Sequence, residues 1–453
     1  MKTEIKNAIK YTSKIIDVWI PLKIKYDRVP GISIGLAYKG NLVYKKGFGF
    51  ADVLKGKKAT EKTLYRLASI SKVFTSVVIL QLTEQGKLAI DDFVIKYIPW
   101  FKGENKEGDL KNVTIRQILS HTSGIFRDGE KSPWEEDNFP KKLQGTISNK
   151  SVIFENSMQF KYSNHAFSIL GEVIKKVSGL TYEKYIYKNI LEPLKLKNTY
   201  PDFNNEILGQ LAIGYGRIVP DCERETFKHV KTFAYAPTTG FISNIIDLTK
   251  FISLFTLSKS EKTKVLGREF KKEMMRSHSK STESGDEYGL GLDIYNVFKR
   301  KVVGHSGSFS GYTTAAYIDP SEEFSVVVLS NALESSATSI AESIFEMFYY
   351  FIDNEKSYET NKSIMKKYEG IYRSRWNDIS IVSVGGKLIA FNPDVNFPLG
   401  DRRTILSPKT TDAFVIESKD YYDSIGEIVQ FKSFKNKKAQ ELIWGSALYQ
   451  RVC

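Results

Sequence analysis

Cysteine is almost absent: 453 residues contain only Cys222 and Cys453. Two cysteines cannot build a disulfide framework, and neither stands at a metal-ligand spacing. With Cys453 as the last residue of this sequence, no prenylation box is expected. No stretch approaches the roughly 18 apolar residues of a transmembrane helix, so no membrane span is expected. The opening Met1-Lys2-Thr3-Glu4-Ile5-Lys6 lacks the apolar run of a secretory signal. Together these absences lead us to expect a cytoplasmic protein. There is no His-Glu-x-x-His, no cysteine pair and no glycine-rich phosphate loop. Neither a metal nor an organic cofactor is therefore expected.

The length calls for two or three domains rather than one core. Hydrophobic residues make up 42% and charged residues 26%, the balance of a globular chain, and aromatics at 13% argue against disorder. The formal charge of +14 raises the question of nucleic acid or anionic lipid. The basic residues are interleaved with acids, however, and clusters such as Lys435-Asn436-Lys437-Lys438 hold only three of them. A lysine-rich surface explains the excess, and no nucleic-acid partner is expected. Such a surface also favours anionic substrates.

The most informative positive feature is Leu67-Ala68-Ser69-Ile70-Ser71-Lys72, at the head of an apolar segment. Residues three apart share a helix face, so Ser69 and Lys72 are neighbours. A serine needs an adjacent base to become a nucleophile. A lysine whose ammonium is disfavoured by burial or by a second cation can be that base. Ser-x-x-Lys also occurs at Ser277/Lys280 and Ser363/Lys366, both in polar surroundings. Only Ser69 precedes a long apolar run, which ends at Gly86, a plausible helix terminator. Ser69 is equally well placed to be a plain N-cap.

Two other short motifs carry suitable chemistry. In Tyr162-Ser163-Asn164, a phenol beside a lysine ammonium should have its pKa lowered and could shuttle a proton. Asn164 offers a carboxamide to a substrate amide. In His305-Ser306-Gly307, the bare Gly307 lets a substrate backbone approach. His305 could hold a proton or bind a carboxylate, or be a satisfied core histidine. His121, in Ser120-His121-Thr122-Ser123-Gly124, reads as a loop-fixing residue.

Along the chain, residues 4 to 24 form an amphipathic helix and Gly31 to Asp52 a hairpin. Thr114 to Leu119, Ala166 to Ser178, Asp247 to Leu257 and Ser336 to Phe351 read as helices. Val302 to Ile318 and Phe324 to Asn331 read as strands. Residues 126 to 160 and 215 to 236 are long loops, the first anchored by Trp134 and Phe139. Strands at both ends with helices between them suggest an α/β region whose central sheet joins distant segments. Residues 353 to 363 turn polar. Beyond them come short strands over Gly370 to Arg373, Ile379 to Phe391, Ala413 to Ser418, Glu427 to Phe434 and Glu441 to Tyr449, suggesting a small barrel or sandwich.

Ser69-x-x-Lys72, Tyr162-x-Asn164 and His305-x-Gly307, in this order, resemble the penicillin-recognising serine hydrolases. The likeness is to class C β-lactamase-like enzymes, with their esterases, D-amino-acid peptidases and DD-carboxypeptidases. Leu119 to Gly124, Gly86-Lys87-Leu88…Asp91-Asp92 and Tyr288-Gly289-Leu290-Gly291 resemble further family segments. Tyr368 to Tyr372 looks like the start of an appended lipocalin-like barrel. The resemblance implies an α/β (α+β) fold: an antiparallel central sheet flanked by helices, an all-α subdomain carrying the site, and a small C-terminal β-barrel. It implies a hydrolase domain over 1–352, a linker over 353–363 and the barrel over 364–453. It implies an acyl-enzyme on Ser69, with Lys72 and Tyr162 moving the proton, Asn164 and Gly307 binding substrate, and His305 polarising or anchoring the leaving side. The N–H groups of Ser69 and Ser308 would form the oxyanion hole. His305 stands where β-lactamases of this class carry lysine, which favours the esterase and peptidase branches. The expected partner is a small molecule or short peptide. A β-lactamase or DD-carboxypeptidase is the alternative, an inactive penicillin-binding or assembly protein the non-enzymatic one, and a homo-oligomer is left open.

Overall fold

In a computed structural model, the structure describes residues 1–130, 132–134, 138–257, 265–282, 285–358, 365–400, 403–417 and 425–452. The chain divides into two compact units, residues 30–338 and residues 1–29 together with 339–453.

The first unit is built on an antiparallel sheet of nine strands. In chain order these are β1 (Gly31–Tyr38), β2 (Asn41–Asp52), β3 (Lys57–Lys58), β4 (Ser279–Lys280), β5 (Glu287–Tyr288), β6 (Asp293–Val297), β7 (Arg300–Phe309), β8 (Tyr312–Asp319) and β9 (Phe324–Ser330). Their spatial order is β4-β5-β6-β7-β8-β9-β1-β2-β3. The N-terminal hairpin therefore joins the sheet through β1 and β9, with Ile34 opposite Val328 and Leu36 opposite Val326. Both strands are almost wholly buried, which explains their unbroken apolar reading.

The 220 residues between β3 and β4 hold the helices α2 to α5. Helix α2 (Ser71–Glu84) is buried from Ser71 to Leu82, as its apolar surface on all sides requires. Phe74 stacks on Phe251 at 3.5 Å and on Phe241 at 4.1 Å. Helix α3 (Ile115–Leu119) starts with a Thr114/Gln117 capping box. Helix α4 (Asn164–Ser178) is capped by Ser163 and stops at the left-handed Gly179. Helix α5 (Ile245–Ile252), capped by Asn244, packs on β1 and β9.

The second unit contains α1 (Thr3–Tyr26), the greater part of α6 (Ala337–Asp353) and a closed barrel of eight strands. These are β10 (Gly370–Arg373), β11 (Asp378–Val384), β12 (Lys387–Phe391), β13 (Thr404–Thr410), β14 (Ala413–Ile416), β15 (Ile428–Lys435), β16 (Lys438–Trp444) and β17 (Ala447–Arg451). Pairing of β10 with β17 closes it. Tyr372, Leu388, Phe414, Phe431 and Leu442 fill its core. Within this unit Trp19 Nε1 donates to Val395 O at 2.9 Å, and Tyr11 meets Phe351 edge-on at 5.4 Å.

Three details differ from the sequence reading. Val302 to Ile318 is broken by a turn at Ser310-Gly311, and Glu441 to Tyr449 by one at Gly445. Strand β13 is an addition: Pro408 argues against a strand, and the ladder tolerates it by shifting register between Pro408 and Thr410. Of the polar stretch 353–363, Glu355–Ser357 is a 3-10 turn, while 359–363, with the Ser363 motif, lies outside the described residues, as does Ser418.

Candidate active site

Ser69 sits in a 3-10 turn, Ala68–Ile70, that runs into α2. No side chain caps the start of α2. The Ser69 hydroxyl instead meets Lys72 Nζ at 3.0 Å and accepts from Tyr162 OH at 2.8 Å. The turn is strained, because Ala68, with φ +52°, lies in the left-handed region, at a cost of about 1–2 kcal/mol. Ser71 holds it: its hydroxyl donates to Ala68 O at 2.6 Å and accepts from Phe241 N at 3.0 Å. Strand β7 closes over the turn at Gly307. A Cβ there would lie 2.4 Å from Leu67 O and 2.9 Å from Ala68 Cβ, so only glycine fits.

Lys72 is fully buried. Its Nζ has two further neighbours, Asn164 Oδ1 at 2.8 Å and Thr238 O at 3.1 Å. Burial drives its pKa well below the ordinary lysine value, and Arg127 pushes the same way. Asp128 and Asp293 pull weakly against this. The lysine is thus biased toward the neutral amine.

Tyr162 departs from the sequence expectation. Its phenol was expected to be acidified by a neighbouring ammonium. Burial instead raises its pKa, only partly offset by the bond to Ser69. The physical reason is that a buried, deprotonation-prone Lys72 offers little positive charge to stabilise a phenolate. Tyr162 OH is therefore a proton donor at rest. Its ring lies 4.3 Å from that of His121 and 5.0 Å from the Arg127 guanidinium.

Asn164 is engaged at both ends. Oδ1 faces Lys72, and Nδ2 donates to Asp128 Oδ1 at 2.6 Å. The carboxamide expected to meet a substrate amide lines the cleft and also holds Lys72. His305 is likewise engaged at both nitrogens. Nδ1 bonds Ser306 O, which as a carbonyl can only accept, so Nε2 accepts from Tyr288 OH at 3.1 Å. Burial lowers the His305 pKa, with Asp293 opposing, so the imidazole is neutral at pH 7 and is no substitute for a permanent cation.

Ser69, Tyr162, Asn164, His305, Gly307 and Ser308 all line one cleft of about 720 Å³. Trp134 and Thr314 also line it, and Trp134 is wedged against Phe139 and Phe309 at 5.2 and 5.7 Å. The structure adds Arg127, Asp128 and Asp293 to the walls. No local pattern marks these three; they reach the cleft from a loop and a strand end. His121 Nδ1 accepts from Ser163 N at 3.2 Å, which secures the segment carrying Tyr162.

A family model described as Beta-lactamase matches residues 23–346. Protein flp of Staphylococcus aureus (strain MRSA252) is 29% identical over 380 residues, 83% of this chain and 72% of that protein. A teichoic acid D-alanine hydrolase of Staphylococcus aureus is 30% identical over 183 residues, 40% of this chain and 44% of that protein. The structure of an octameric penicillin-binding protein homologue from Pyrococcus abyssi matches with a TM-score of 0.63 at 26% identity, covering 97% of this chain and 99% of that one. With a fold, a cleft and a family model that agree over most of its length, the chain belongs to the beta-lactamase family of hydrolases.

Proposed function

We propose that the chain is a serine hydrolase that cleaves esters or amides of small substrates through an acyl-enzyme on Ser69. The observation that carries this reading is the pair of contacts on one hydroxyl, Lys72 Nζ at 3.0 Å and Tyr162 OH at 2.8 Å. A neutral amine has two N–H groups and one lone pair. Asn164 Oδ1 and Thr238 O can only accept, so they take the two N–H groups. The lone pair is left for the Ser69 proton. As Oγ attacks the carbonyl carbon, Lys72 takes that proton. Tyr162, still protonated, donates to the leaving oxygen or nitrogen and is recharged by the Lys72 ammonium. Water then attacks the acyl carbonyl, giving its proton to Lys72, and Ser69 leaves with a proton returned. The N–H groups of Ser69 and Ser308 are the proposed oxyanion donors, and losing one such donor typically costs about 10²–10³ in rate.

Within this mechanism His305 acts as a positioning residue for β7 and Tyr288. Gly307 lets β7 lie close to the nucleophile turn. The neutral imidazole where a lysine holds the substrate carboxylate of β-lactamases favours esterase or peptidase chemistry. The teichoic acid D-alanine hydrolase relative supports D-alanyl or other D-aminoacyl groups as substrates. The octameric relative supports a homo-oligomer, which light scattering reads directly. A cytoplasmic site of action, resting on the scarcity of cysteine, and a lipocalin-like character for the barrel belong to the same proposal. The test is Ser69→Ala assayed on p-nitrophenyl esters, aminoacyl amides of both hands, and nitrocefin. Loss of ester or amide turnover is expected. Turnover undiminished in Ser69→Ala rules the acyl-enzyme out, and nitrocefin as the best substrate of the parent protein moves the assignment to a β-lactamase.

A further inference from the structure

The cleft contains a carboxylate that the proton relay does not use. Asp293 begins β6, opposite Gly304 of β7, and its side chain lines the same cavity as Ser69. It remains about 30% exposed. Its contacts within the protein converge on one oxygen. Ser306 N donates to Oδ2 at 3.3 Å and Tyr317 OH donates to the same atom at 3.1 Å. His305 Nδ1, at 3.8 Å, also faces Oδ2, but that imidazole is neutral and its proton goes to Ser306 O. Among the described residues, Oδ1 has no hydrogen-bond partner and no lysine or arginine pairs with Asp293.

The other charges of the cleft do not compensate it. Arg127 Nε lies 3.4 Å from Asp128 Oδ2, and Asn164 supports the other Asp128 oxygen. Arg127 thus already has its counter-charge. Lys72 and His305 are both pushed by burial toward their neutral forms. What remains is one carboxylate facing the cavity with a free oxygen. An arginine-like guanidinium seeks both oxygens of a carboxylate at once, and here Oδ2 is taken. A primary ammonium needs only one acceptor and is a compact point charge.

We infer that Asp293 is the specificity-determining anchor for a primary ammonium on the substrate, through Oδ1. The site then accepts small amino-bearing esters or amides and turns away substrates whose nearby group is a carboxylate. This inference rests on the serine hydrolase reading for its choice of substrates, but charge selection is readable without turnover.

The experiment measures binding to the Ser69→Ala protein by calorimetry at pH 7 and low salt, with alaninamide and N-acetylalaninamide of each hand. A charge-assisted hydrogen bond predicts about a 10- to 100-fold preference for the ammonium compound of one hand. Adding Asp293→Asn should erase that preference, since the asparagine can still accept from Ser306 N and Tyr317 OH. Equal affinity for the amino and acetylated compounds, or a preference that survives Asp293→Asn, overturns the inference. In parallel, Asp293→Asn alone is assayed on alanine and N-acetylalanine p-nitrophenyl esters. The expected result is a selective fall in kcat/KM for the amino ester. An equal fall for both esters assigns Asp293 a merely structural role and overturns the inference. Failure of the parent protein to cleave any ester counts against the acyl-enzyme instead and leaves the binding result standing.

Discussion

Lys72 can serve as a base because the fold withholds water from its ammonium. The same burial carries a stability cost with a definite sign. Its folded pKa is far below 10.5, so between that lowered value and 10.5 the unfolded chain binds a proton that the folded chain does not. Stability therefore rises with pH, and this contribution levels off near the unfolded value. Denaturant unfolding should show the parent protein gaining on Lys72→Met between pH 7 and about 10.5. A gap that is constant over that range shows that the amine is not suppressed. The same substitution should lower kcat for esters by about 10²–10⁴, the usual contribution of a positioned base. On the activity side, the pH profile of kcat/KM should rise with deprotonation of Lys72 and reach its plateau well below pH 10.5. The adjacency of Ser69 and Lys72 was legible in the sequence, because helical spacing joins them, whereas Tyr162 was brought to them by the family resemblance, its loop-to-helix junction saying only that its polar tip is exposed. The protonation of Tyr162 was not legible, since it depends on burial that no short motif encodes. Arg127, Asp128, Asp293 and the Tyr288 partner of His305 were also out of reach. They arrive through tertiary contacts between a loop, a strand end and a sheet edge.

Among the elements, the proposed mechanism rests most on the turn at Leu67–Ile70. It is short, strained at Ala68 and held from both sides by Ser71 and β7. Thr314 of β8 also donates to Leu67 O at 2.9 Å. Gly307→Ala should force β7 away from this turn, because backbone rather than a flexible side chain stands in the way. We expect a destabilisation of about 1–3 kcal/mol and a fall in kcat/KM of about 10²-fold from misplacement of the reacting groups. Circular dichroism with steady-state kinetics checks both; unchanged kinetics in a folded Gly307→Ala protein removes the close approach from the account. The terminator Gly179 was readable locally, at the end of the Ala166 to Ser178 pattern, whereas the caps at Thr114 and Ser163 emerge from the structure. Strand β13 was not readable, because a proline that breaks an isolated pattern can be absorbed by a register shift once neighbouring strands are present.

For the whole molecule, the central sheet depends on pairing between β1 and β9, nearly 300 residues apart in the chain. Alternating and continuous apolar runs revealed the strands, but which strands pair is a long-range choice that the pattern leaves open. The barrel has a core of its own, centred on Tyr372, Phe414 and Phe431, separate from the helical core around α2. Tyr372 is fully buried, and its hydroxyl donates to Tyr368 O at 2.8 Å. Tyr372→Ala should cost the barrel unit about 3–5 kcal/mol. In calorimetry of the full chain this should lower one transition while leaving the other near its original temperature. A uniform shift of all unfolding would show that the two cores melt as one.

The central claim is that one hydroxyl, activated by a neutral lysine, forms a covalent acyl-enzyme. Mass spectrometry after treatment with a fluorophosphonate tests it most directly. The account predicts a single adduct, mapped to the peptide containing Ser69 and greatly slowed in Lys72→Met. An unlabelled Ser69 in a protein that still turns over esters, or labelling that proceeds equally fast without Lys72, contradicts it.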